Sequence, residues 1–203
     1  MSARLSHTDG RGRVRMVDVG EKPETAREAV ASAAVRMSAA TRDLILGGQG
    51  ANGSPSLAKG DVLATARVAA IVALKRTADW IPLCHPVRVV GCGVHIDGDD
   101  ALPGVRVRVT VRAFDRTGVE MEAMVGAAAA ALTIYDMVKG AERGVEITNV
   151  RLEEKRGGRT GEWRRPSDSM GAAGEAPGHA TVGGRKTTGR SVAGSRNQAR
   201  RKR

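Results

Sequence analysis

The chain has 203 residues, with 33 Lys or Arg against 22 Asp or Glu and a formal net charge of +11 at pH 7. Its four aromatic residues, Trp80, Phe114, Tyr135 and Trp163, are too few for a single-strand nucleic-acid reader that stacks bases on several rings. Two cysteines, Cys84 and Cys92, cannot build a disulfide framework or a four-thiolate metal site.

The opening stretch, MSARLSHTDG, has no apolar signal core, and no run of about 18 apolar residues is available to span a membrane. These features predict a soluble, cytoplasmic protein of a reducing compartment. Thr25 to Leu46 is rich in Ala, Arg, Met and Leu and lacks Gly and Pro, which predicts one long helix. The segment Gly47 to Ala58 is dense in loop formers and ends it. Asp61 to Thr77 reads as a second helix, with Val62, Ala66, Ala69, Ala70, Ala73 and Leu74 on one face. Lys59 and Gly60 stand at its mouth, where a lysine, a glycine and a helix N-terminus together can hold an anion, or where the lysine is simply solvated. Lys75 and Arg76 at its other end complement the helix dipole.

Pro82 and Pro86 then restrict a turn that carries Leu83, Cys84 and His85. A histidine held in this way is available for proton transfer near neutral pH. The cysteine reads as a small buried apolar residue. Val87 to Asp97 is expected as a strand with Val90, Cys92, Val94 and Ile96 on one face. Val105 to Ala113 alternates Val or Ala with Arg and Thr, the pattern of a strand with one buried and one polar face. That pattern suits an antiparallel sheet with helices on one side.

Thr117-Gly118-Val119-Glu120 matches a capping box, so a helix is expected from there to about Gly140. Its middle, Ala127 to Leu132, has no charge, which implies burial against the sheet or another subunit. Asp136 and Lys139, three residues apart, share a face of this helix. They are either a surface ion pair or an acid–base pair in which desolvation and the lysine act oppositely on the carboxylate. Glu120 has a capping role; Glu122 has no evident structural one. Glu122 and Asp136 stand roughly 21 Å apart along the helix at about 1.5 Å per residue. If both serve one site, a second subunit must complete it. Val145 to Leu152 is expected as a last strand, followed by a flexible basic loop, Arg156 to Gly161. Residues 166–203 carry eight Lys or Arg against two acids and seven glycines, with no Leu, Ile or aromatic residue. They read as a disordered basic tail after a domain over 1–165. Helix, helix, strand, strand, helix, strand indicates an α+β sandwich.

Met16-Val17-Asp18-Val19, Lys59-Gly60-Asp61-Val62, Lys75-Arg76-Thr77, Ile81-Pro82-Leu83-Cys84-His85-Pro86, Thr117-Gly118-Val119-Glu120-Met121-Glu122-Ala123 and Leu132-Thr133-Ile134-Tyr135-Asp136-Met137 occur in the order of one family. Over His7 to Trp163 the chain resembles the cyclic pyranopterin monophosphate synthases, the MoaC-type lyases of molybdenum cofactor (molybdopterin) biosynthesis. The resemblance implies a ferredoxin-like α+β fold with an antiparallel sheet and helices mainly on one face. It also implies a homohexamer, a trimer of dimers, with sites at a subunit interface. The implied reaction converts 3′,8-cyclo-7,8-dihydroguanosine 5′-triphosphate to cyclic pyranopterin monophosphate and pyrophosphate. Implied catalytic residues are Asp136, Lys139, Lys59 and His85. Implied substrate contacts are Leu83, Cys84, His85, Lys75, Glu120, Met121 and Glu122. No cofactor, metal or membrane partner is implied, and nucleic acid is disfavoured. The loop at 47–58 is about five residues longer than the family pattern, which bears on closure beside Lys59. Two other classes compete: a nucleic-acid-binding module that uses the basic tail, and a catalytically silent assembly subunit.

Overall fold

A computed structural model describes residues 7–47 and 61–166 of the chain. Lys59, most of the 47–58 loop and residues 167–203 of the basic tail lie outside the described residues. Strand β1 (Thr25–Arg36) leads through helices α1 (Ala39–Leu46), α2 (Val62–Leu74) and α3 (Thr77–Trp80) to strands β2 (Val89–Asp99) and β3 (Gly104–Asp115). Helix α4 (Glu120–Val138) then crosses to strands β4 (Glu146–Arg156) and β5 (Trp163–Arg164). The strands form one sheet in the order β2-β3-β1-β4-β5, antiparallel at every pairing. This is an α+β fold. Without the short β5, its strand order is the split-βαβ arrangement of ferredoxin-like domains.

The core lies between one face of the sheet and the helices α2 and α4. Val105, Val107, Val109 and Val111 are fully buried there, as the alternation along β3 predicts. They meet Ala29, Ala31, Ala33 and Val35 from β1, Ala66, Ala70 and Leu74 from α2, and Ala123, Ala127, Ala130 and Ile134 from α4. On α2 the buried set is Val62, Ala66, Ala70, Ala73 and Leu74, as its spacing requires; Ala69 sits at the margin.

Four expectations need correction. The long helix over 25–46 is instead a strand followed by a short helix. β1 pairs with β3 on one side and β4 on the other, and Ala29 to Val35 are buried without interruption. A central strand covered on both faces loses its alternation, so helix propensity is the only local signal left, and tertiary context overrides it. The helix that does form begins after Ser38, whose Oγ accepts from the Thr41 amide at 3.2 Å. In β2, a register shift between Val89 and Gly91 turns Val90 outward, and Val89 takes the core side opposite Ala113. Helix α4 does not use the capping box. Its N-cap is Val119, which has no side-chain cap, so Glu120 is released from a structural role. The basic loop after Arg156 is a turn between β4 and β5, with Gly157, Gly158 and Gly161 all at positive φ.

Helix α4 is long and apolar enough to cross a membrane by length and composition, but 61% of that window is buried within this fold, as for a core helix. Gly126 lies where α4 crosses β3 and α2. A Cβ there would stand 3.2 Å from Val109 Cγ1 and 3.5 Å from the Ala70 carbonyl oxygen. Gly126→Val should therefore overpack the crossing and destabilise the fold by about 1–3 kcal/mol. A urea midpoint unchanged from wild type would contradict this packing.

Candidate active site

Six of the residues expected to touch substrate converge on one cavity. The proline-bounded turn after α3 contributes Leu83, Cys84 and His85, and the first turn of α4 contributes Glu120, Met121 and Glu122. The turn is closed by a hydrogen bond from the Cys84 amide to the Ile81 carbonyl at 3.0 Å. The cavity holds about 250 Å³ and is completed by His7, Val17, Val19, Lys22, Val87, Thr117 and Gly118.

Glu122 is the chemically distinctive group. It is 4% exposed, and burial pushes its carboxyl up to about 7, with the charges of Glu120 and Asp115 adding to the shift. A carboxyl poised at that value can give or take a proton at neutral pH. Burial, then Glu122, then Glu120 push the Cys84 thiol up, so it stays protonated at neutral pH and is a poor nucleophile.

A second cavity of about 470 Å³ adjoins the first, sharing Lys22, Thr117, Gly118 and Glu120 with it. Its walls carry six cations: Lys22, Arg27, Arg116, Lys155, Arg156 and Arg159. Arg27 Nε is held by the Asp115 carbonyl at 3.2 Å, and Arg116 donates to the Gly20 carbonyl at 2.5 Å. Among the described residues, Lys22, Arg27, Lys155 and Arg159 pair with no carboxylate. Such a cluster of under-neutralised cations is a site for a polyanion. The Gly157-Gly158 turn makes room for it: a Cβ on Gly157 would lie 2.1 Å from the Ala26 carbonyl oxygen, and one on Gly158 would collide with the Arg27 guanidinium. The two cavities form a groove with the Glu122 carboxyl at one end and most of the cations at the other.

The remaining expected residues lie elsewhere. Asp136 and Lys139 form an ion pair at 2.5 Å at the far end of α4. The aspartate side chain is 63% exposed and the lysine 50%, so the partial desolvation expected of Asp136 does not occur within one chain. The aspartate holds Lys139 above its usual range. Lys75 is the exposed C-cap of α2 and lines neither cavity. Among the described residues, no three His, Cys, Asp or Glu side chains are grouped to hold a metal ion.

Sequence reading missed His7, Lys22, Arg27, Arg116 and Lys155. They come from separated segments; strand register, which pairs Glu28 with Arg156 and Thr25 with Asp115, unites Arg27, Arg116 and Lys155.

An α+β domain with a polyanion groove beside a small proton-transfer cavity defines the class: a protein built to act on a phosphorylated small molecule. The MoaC family profile matches residues 16–158, and the chain belongs to that family. A protein of Brucella ovis named cyclic pyranopterin monophosphate synthase is 52% identical over 163 residues, which is 80% of this chain and 94% of the relative. A Brucella melitensis protein of the same name matches equally, and one of Brucella canis is 51% identical over the same coverage.

The buried carboxyl has a measurable signature. Folded Glu122 holds its proton up to about pH 7, whereas unfolded it releases it near 4.5. The native state therefore binds more protons in that window, and this group's contribution to stability falls as pH rises through it. Glu122→Gln should melt above wild type at about pH 8 and close to it at about pH 4. Equal melting at both would refute the burial of an ionisable carboxyl.

Proposed function

We propose that the chain is a cyclic pyranopterin monophosphate synthase, a lyase of molybdenum cofactor biosynthesis. It converts 3′,8-cyclo-7,8-dihydroguanosine 5′-triphosphate to cyclic pyranopterin monophosphate and pyrophosphate. The observation that carries this reading in structural terms is the two-ended groove, which matches a substrate with a triphosphate at one end and a nitrogen heterocycle at the other. The catalytic domain is residues 1–165, and it works in the cytoplasm.

The triphosphate lies along Lys22, Arg27, Arg116, Lys155 and the Arg156–Arg159 turn, and the heterocycle enters the smaller cavity. Cyclic phosphate formation joins a sugar hydroxyl oxygen to the first phosphorus and breaks that phosphorus's bond to the pyrophosphate oxygen. The hydroxyl proton passes to a base, and pyrophosphate leaves with the bonding pair. Fixed cations favour this step because negative charge accumulates on the leaving group. Ring opening and pterin closure need proton transfers, for which Glu122, with its near-neutral carboxyl, and His85 are in place. Lys59, Asp136 and Lys139 act with them, and Lys75 contributes charge.

Asp136 and Lys139 reach this chemistry from a second copy of the chain. Within one chain, α4 separates Asp136 from Glu122 by roughly 21 Å. An apolar face with a cavity of about 430 Å³, lined by Val68, Val72, Trp80 and Ala129, and the exposed Leu132 offer a surface for subunit packing. The assembly is a homohexamer, a trimer of dimers.

Purified chain given the cyclised triphosphate should release one pyrophosphate per substrate; intact substrate and no pyrophosphate would refute the assignment. Arg27→Ala or Lys155→Ala should raise KM by roughly 10- to 100-fold, the loss of a charge-assisted hydrogen bond of about 1.5–3 kcal/mol. Mixing inactive Glu122→Ala and Asp136→Ala subunits should restore partial turnover. No recovery in verified mixed oligomers would refute the shared site.

A further inference from the structure

Between the isolated bridge at Val14 and the start of β1 at Thr25, the chain belongs to no helix or strand. It nevertheless walls the groove: Val17 and Val19 line the smaller cavity, and Lys22 lines both. A segment without a hydrogen-bonded ladder has to be fixed by particular bonds, and here they converge on Gly20. Asp18 Oδ1 accepts from the Gly20 amide at 2.8 Å, a side chain reaching two residues ahead to shape a turn. Arg116 Nη1 donates to the Gly20 carbonyl at 2.5 Å, so both polar groups of that residue are held. The Lys22 amide closes the turn on the Val19 carbonyl at 3.1 Å.

This turn decides where Lys22 stands. Lys22, Thr117, Gly118 and Glu120 line both cavities, and Lys22 is the cation among these four. A substrate with its heterocycle in the smaller cavity and its triphosphate in the larger one places its first phosphate at that junction. A lysine ammonium is a point charge on a flexible four-carbon stem. Among the described residues Lys22 pairs with no carboxylate, so the backbone from which the stem starts sets its reach. Asp18 is exposed and lines neither cavity. Its charge alone would weaken the hold of the groove on an anion, so any benefit it brings to anion binding must come through its hydrogen bond to Gly20.

We propose that Asp18 is a positioning residue: by holding the Gly20 amide it sets the turn that presents Lys22 to the phosphate nearest the heterocycle. The identity of that phosphate rests on the synthase reading, whereas the dependence of Lys22 on Asp18 does not.

A double-mutant cycle in the full-length chain, read by steady-state pyrophosphate release, tests the coupling. Asp18→Ala should lower kcat/KM at least fivefold in the wild-type background and less than twofold in a Lys22→Ala background. Asp18→Asn, whose carbonyl oxygen can still accept from the Gly20 amide, should stay within twofold of wild type. A kcat/KM for Asp18→Ala within twofold of wild type, an equal loss in both backgrounds, or an Asn variant no better than Ala would each overturn the proposal. Wild-type chain that released no pyrophosphate would defeat the synthase reading, and calorimetry with inorganic triphosphate would then decide the coupling. Asp18→Ala should bind triphosphate at least threefold more weakly than wild type, with no further change when Lys22 is already Ala. Unchanged or tighter binding by Asp18→Ala, equal weakening in both backgrounds, or no measurable binding by wild type would overturn it.

Discussion

Helix α4 lies close to strand β1 because the surfaces between them are made of alanine. Ala29, Ala31 and Ala33 on the strand and Ala123, Ala127, Ala130 and Ala131 on the helix are all fully buried. Small side chains bury little area each, about 25 cal/mol per Å² of apolar surface, so close approach has to supply what size does not. Gly126 extends the same rule to the crossing with α2, where a Cβ would stand 3.4 Å from Leu74 Cβ. Close packing of this kind tolerates few changes of volume, which makes the position of α4 a rigid datum for the rest of the molecule.

The site follows from that placement. With α4 held against the sheet, its first turn points beside the end of β3 and beneath the proline-bounded turn. Glu122 is buried while Glu120 remains partly exposed. The helix thus sets the protonation behaviour of one carboxyl chiefly through depth. The sheet does the complementary work for the cationic end. Antiparallel pairing of β1 with both β3 and β4 draws Arg27, Arg116 and the Arg156–Arg159 turn to one corner, though they are far apart in the chain.

Legibility in the sequence tracked how local the determinant was. The valine and arginine alternation of β3 and the apolar middle of α4 are periodic signals that neighbours do not disturb, and both were readable. The β1 strand was not, because burial on both faces erased its period and its alanines favour a helix when read alone. Val90 was misplaced by a single bulge, and Thr117 by a capping box that the chain leaves unused. The motif residues around Cys84 and Glu122 could be named from their strings and do converge. Of the groove cations, the basic loop of Arg156 and Arg159 was legible, whereas Lys22, Arg27, Arg116 and Lys155 were not, since only the folded chain brings them to it. The opening charge of +11 had no address until the fold collected part of it around one cavity.

The Gly157-Gly158 turn has a consequence for how such a groove can vary. A solvent-exposed cation of the turn, such as Arg159, has more freedom: replaced by Lys, it changes the local potential only by degree. The two glycines have no such freedom, since both sit at positive φ, 89° and 75°, and a Cβ on Gly157 would also lie 2.1 Å from the Ala26 carbonyl oxygen. Drift in this region should therefore be permissive at charged positions and closed at the two positions that carry no chemistry. The least substitutable part of the anion groove is the absence of two carbon atoms.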